Sequence, residues 1–136
     1  MGEDIIRQFL EQVKARVLAD GWLDQHAVPV HIENTGDILY EVESALAGTG
    51  IALILKAPRA VAETPAFIIT LELLALESPT LNRCRANAAT ALDTVWHVAL
   101  ALRGGDFNLK TIEHQEAEFG FQARATLEAM VMIDTN

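Results

Sequence analysis

The stretch Glu118-Phe-Gly-Phe-Gln-Ala-Arg-Ala-Thr-Leu-Glu-Ala-Met-Val-Met-Ile133 alternates almost without error. Phe119, Phe121, Ala123, Ala125, Leu127, Ala129, Val131 and Ile133 share one parity. Glu118, Gly120, Gln122, Arg124, Thr126, Glu128, Met130 and Met132 share the other. A period of two is the mark of a strand with one face on a core. Gly120, free to adopt positive φ, turns the chain between this strand and a preceding one, Leu109–Glu118. Met130 and Met132 sit on the nominally polar face, and Ile112 on the less apolar face of the neighbouring strand. Such a sheet needs cover on both sides, from helices that sandwich it or from another subunit.

Upstream, Ser78-Pro79 reads as an N-cap followed by proline at the first helical position. Leu81, Ala88, Val95 and Leu102 then repeat every seven residues until Gly104-Gly105. This predicts one helix over Pro79–Leu102, about 36 Å long, with Cys84 on its apolar face. Asp4–Asp20 reads as an amphipathic helix with Ile5, Ile6, Phe9, Leu10, Val13 and Val17 on one face, stopped by Gly21. Trp22 and Leu23 follow, placed to fold back onto that face. Val28–Ile32 is a strand candidate that Pro29 confines to an edge or a strand start. A short helix over Asp37–Ala47, capped by Asp37, ends at Gly48 and Gly50, although Ile38–Val42 also reads as strand. Ile51–Leu55 and Phe67–Leu76 are buried strands by composition. Between them Lys56–Pro65, with two prolines, reads as a loop projecting from a long hairpin.

The order is α-β-α-β-β-α-β-β. It defines an α+β class: a mixed or antiparallel sheet packed by one long central helix and an N-terminal helix. At 136 residues the chain reads as a single domain spanning 1–136.

Ten Lys+Arg against 19 Asp+Glu give a formal charge of −9, spread evenly. Such a chain repels nucleic-acid phosphates and anionic membranes, or uses its acidity for solubility alone. The acidic start at Met1–Asp4 and the absence of a long apolar run indicate a soluble protein without a signal peptide or membrane span. One cysteine excludes an internal disulfide and a cysteine-based zinc cluster, and fits a reducing compartment.

No motif carries chemistry. His26, His31, His97 and His114 lack paired-ligand spacing, although His114 and Glu116 share a strand face. Ser78 serves as a cap, and Ser44 lies on an exposed helix face outside any nucleophile motif. Gly48-Thr-Gly50 and Gly104-Gly105 fit no phosphate-binding loop. Glu116 and Glu118 read as a solvated edge. No catalytic residue, metal site or cofactor is expected.

The layout resembles the bacteriophage tail terminator family, the lambda-like minor tail proteins, and related head–tail neck and tail completion proteins. The resemblance rests on the opening helix Asp4–Asp20, the hairpin Ile51–Leu76 with its loop Lys56–Pro65, the helix Pro79–Leu102, and the closing hairpin Leu109–Ile133. It is best at Glu116-Ala-Glu-Phe-Gly-Phe121 and the strand that follows. It implies a non-enzymatic homo-oligomer, usually a ring of six, that ends tail-tube assembly and presents a surface for head joining. Its partners would be itself, the tail-tube protein and head-completion proteins, in the virion tail after assembly in the bacterial cytoplasm. Lys56, Arg59, Met130 and Met132 would then lie at subunit or tube interfaces. Glu63, Glu113, Glu116 and Glu118 would face the lumen and keep passing DNA from adhering.

Two other classes remain open. One is a small bacterial interaction domain dimerising through its last strand. The other is an enzyme with a small-molecule pocket between helix and sheet, which a cleft holding His97 or His114 beside a carboxylate would favour.

Overall fold

The structure, a computed structural model, describes residues 5–33, 38–63, 66–103, 107–117 and 120–132. In chain order these form α1 (Ile5–Leu18), α2 (Trp22–Gln25), β1 (Val30–Ile32), α3 (Ile38–Gly48), β2 (Ile51–Leu55), β3 (Arg59–Glu63), β4 (Ala66–Glu77), α4 (Pro79–Asn82), α5 (Ala91–Arg103), β5 (Phe107–Ala117) and β6 (Gly120–Met132). The fold is α+β. The strands make one mixed sheet in the order β1-β2-β4-β6-β5, with β3 paired to the far half of β4. β1 runs parallel to β2 through the crossover α3, and the remaining pairings are antiparallel.

From Gln122 to Glu128 the alternation of β6 is realised as read, while Phe119 and Ile133 lie outside the described residues. Ala123, Ala125, Leu127 and Ala129 are buried, while Gln122, Arg124, Thr126 and Glu128 are only partly so. The same parity runs through β4, where Leu71, Leu73 and Ala75 are fully buried. These residues join Leu53 and Leu55 of β2, Leu10, Val13 and Val17 of α1, Leu23, and Val95, Val98, Ala99 and Leu102 of α5 in one core. Burying each of the large aliphatic side chains stabilises the fold by about 1.5–3 kcal/mol. Both long helices therefore lie on one face. α3 covers part of the other, where Val42 packs with Ala52 and Ile54 against Leu74 and Leu76.

Four sequence expectations are corrected. First, Pro79–Leu102 is not one helix. α4 lasts four residues, Asn87 adopts φ +61, and α5 starts afresh at Ala91. Thr90 and Asp93 make the new N-terminus: Thr90 Oγ1 accepts from the Asp93 N–H at 3.0 Å, and Asp93 Oδ2 from the Thr90 N–H at 3.3 Å. This is a capping box with aspartate in place of glutamate. Second, Cys84 is exposed, because the segment that would have buried it is not helical. Ser78 does occupy the α4 N-cap, but its side chain makes no capping bond.

Third, Lys56–Pro65 is not a loop throughout. β3 continues the line of β2, and the two pair with β4 as one long hairpin. The register slips by one at Lys56–Pro58, where three residues oppose Leu71 and Glu72, as in a β-bulge. Thr64 and Pro65 lie outside the described residues. Fourth, Ile112 packs against the main core. A register shift between Leu109 and Thr111 lets Leu109 and Ile112 face the same side, which is why β5 alternates poorly in sequence. The expected cap at Asp37 and the turn residues Glu118 and Phe119 lie outside the described residues, while Gly120 takes φ +146.

Candidate functional site: the hairpin arm and the open strand edges

β4 is twelve residues long, about 40 Å of extended chain. Its near half is held between β2 and β6. On the β3 side, its far half is flanked by β3 alone. The result is an arm rooted in the core and leaving it at the bulge.

Glu33, just after β1, fixes the root. Its Oε1 accepts the Ala57 N–H at 2.8 Å and its Oε2 lies 3.4 Å from Lys56 Nζ. Lys56 also donates its backbone N–H to Glu72 O at 3.0 Å. Lys56 is thus half-buried and already paired, at the base of the arm. Arg59 is exposed at the start of β3, opposite Thr70. Met130 and Met132 pair in backbone register with Ile68 and Ala66, so they run along the arm. Their side chains lie outside the description.

The acidic residues do not converge. Glu63 pairs with Ala66 at the arm tip, and Glu116 with Phe121 at the opposite end of β6. β6 separates these ends by roughly 35 Å. Glu113 pairs with Arg124 in register, and both Glu113 and Glu116 are exposed on β5. Glu118 lies outside the described residues.

Among the described residues β1, β3 and β5 each pair on one side only. A bare strand edge is a template for another chain unless charge, proline, brevity or a bulge blunts it. β1 has three residues and follows Pro29. β5 has a bulge and carries Lys110, Glu113 and Glu116. β3, Arg59-Ala-Val-Ala-Glu63, is charged only at its ends, and Val61 is 57% exposed. It is the least protected edge. β6 is paired on both sides from Phe121 to Ala129, and its last residues, Met130 to Met132, pair with β4.

At the other end of the sheet lies a polar hub that sequence reading missed. Glu77 continues the buried parity of β4 and is fully buried. Its Oε2 accepts from Asn82 Nδ2 at 2.9 Å and Arg83 Nε at 3.0 Å, and its Oε1 from the Ala91 N–H at 3.0 Å. Asn82 also donates to Ala89 O, and Arg85 donates to Asn82 Oδ1 and His26 O. Burial raises the Glu77 pKa, but the hydrogen bonds from Arg83, Asn82 and Ala91 outweigh it and leave the carboxyl below its ordinary value. The parity of Glu77 with Leu71, Leu73 and Ala75 was the available signal.

His97 and His114 each stack on an aromatic ring of the fold. Trp22 stacks on His97 with centroids 4.4 Å apart, and His97 Nε2 lies 2.8 Å from Asp20 Oδ2. The Asp20 pKa is lowered by the Trp22 N–H and by His97. His114 stacks on Phe121, over which Arg83 also lies. A groove of about 390 Å³ between α1, α2 and β1 is lined by Lys14, Leu18, Leu23 and Val28 among others, and a smaller one by Phe9, Arg16 and Phe107. Neither contains His97 or His114. No cluster of three or more His, Cys, Asp or Glu suited to a metal occurs among the described residues, and no helix among them is long and apolar enough to cross a membrane. No family model matches the chain, and no curated protein matches it.

Proposed function

We propose that the chain is a non-enzymatic structural subunit of a phage or prophage tail, forming a ring of six that terminates tail-tube assembly and offers a head-joining surface. The observation that carries the reading is the arm, a long hairpin whose outer strand β3 leaves an unguarded edge and exposes Val61. A surface of this kind, complementary to a different patch on the next copy, makes a head-to-tail contact, and such contacts give a ring where the rotation between copies closes. Arg59 stands beside it to meet a neighbour or the tube. The exposed acids Glu113 and Glu116 suit a wall past which DNA slides without adhering.

Light scattering combined with negative-stain imaging of the purified chain tests this. Closed rings with six-fold symmetry are expected as concentration rises. A species no larger than a dimer at every concentration, with no rings in the images, contradicts it and favours a small interaction domain.

A further inference from the structure

The outer face of α5 carries a stripe that matches its own reverse. Trp96 is 53% exposed and Leu100 42% exposed, with Asp93 and Arg103 exposed at either end. Residues 93, 96, 100 and 103 follow the 3-4-3 spacing of a helix–helix seam. At about 100° per residue they fall within roughly an 80° arc, opposite the buried Val95, Val98 and Leu102. Reversing the stripe about its midpoint exchanges Trp96 with Leu100 and Asp93 with Arg103. Among the described residues Arg103 has no ion-pair partner, and it occupies the last turn of α5 while Asp93 occupies the first.

We infer that α5 is a two-fold docking surface for a second copy of this chain, packed antiparallel so that Trp96 covers Leu100 of the second copy and Asp93 meets its Arg103. The contact is isologous: each protomer supplies both halves of every pair. The charges commit the orientation, because a parallel pairing would set Asp93 against Asp93 and Arg103 against Arg103. The inference does not depend on the ring. A ring would be joined to a second ring through this face, and a chain that makes no ring would form a simple dimer.

The test is the mass of the wild-type chain beside Trp96→Glu and Leu100→Glu, measured by light scattering at matched concentration, with circular dichroism to confirm folding. Both variants are expected to have half the wild-type mass. An independent readout is Trp96→Cys with Leu100→Cys in a Cys84→Ser background. Mild oxidation is expected to join two chains covalently, through the sulfur at 96 of one and at 100 of the other. Equal mass for wild type and variants, or no covalent dimer, overturns the inference. So does dissolution of rings into single subunits by Trp96→Glu, which would assign this face to the ring contact. Rings that persist at half mass support both proposals, and dimers that become monomers support this one while contradicting the ring.

Discussion

The backbone N–H of Ala91, the first residue of α5, donates to Oε1 of Glu77, the last residue of β4, at 3.0 Å. One buried carboxylate thereby joins the end of the central strand to the start of the central helix. Its other oxygen holds Asn82 and Arg83 of the intervening segment. Glu77→Ala strands the Ala91 N–H and one Asn82 donor site in the interior. The expected loss is about 2–4 kcal/mol in a urea titration. Arg83 is 53% exposed, so its charge contributes little of that. Arg83→Ala is therefore expected to cost about 1 kcal/mol or less.

The same hub sets an acid limit on stability. The fold holds the Glu77 carboxyl below its ordinary value, so the folded state favours the ionised form. The resulting stabilisation is complete above the unfolded pKa, about 4.3, and is lost as pH falls through the lower, folded value. Urea midpoints measured from pH 7 to pH 3 are expected to show a wild-type advantage over Glu77→Gln that is constant at high pH and shrinks below about pH 4.3. An advantage that grows as pH falls would reverse the assignment.

Gly120 opens β6 at φ +146, and a Cβ there would overlap the Glu77 carbonyl oxygen and Pro79 Cδ. Gly120→Ala is expected to lose about 1–3 kcal/mol from backbone conformation alone, and more from the overlap. Gly48→Ala is the control, since a Cβ at Gly48 meets nothing within 4 Å. Comparable losses at the two positions would contradict this account.

Thr90→Ala removes the hydroxyl that caps α5. A loss of about 1 kcal/mol is expected, read as a fall of a few degrees in Tm. No change would show that the hold of Glu77 on Ala91 suffices to start the helix.

Some of this was legible in residues and some was not. The parity of β6 and β4 reports which side meets the core, because a strand has only two faces and Ala123, Ala125 and Leu127 could not be left in water together. The break after α4 was hidden because Leu81, Ala88, Val95 and Leu102 keep helical spacing across it. What overrides that spacing is Glu77, a residue from another element whose partners an unbroken helix would not present. The local clue was Thr90-Ala-Leu-Asp93, a capping box inside an apparent helix. The arm was half legible: Pro58 and Pro65 suggested a loop, whereas Pro58 falls in the bulge, where a missing N–H costs no ladder bond. Of the interface residues, Arg59 is exposed at the start of the β3 edge, while Lys56 is engaged with Glu33. Val61 escaped notice because one exposed valine is ordinary until its strand is seen to have a free edge.

The ring is tested most directly by native mass spectrometry of the wild-type chain beside Val61→Glu, a change on the exposed edge of β3 that leaves the core untouched. Six copies are expected in the wild type, or twelve where rings pair through α5, and no ring-sized species in the variant. The same stoichiometry in both proteins, or nothing above two copies in the wild type, would contradict it.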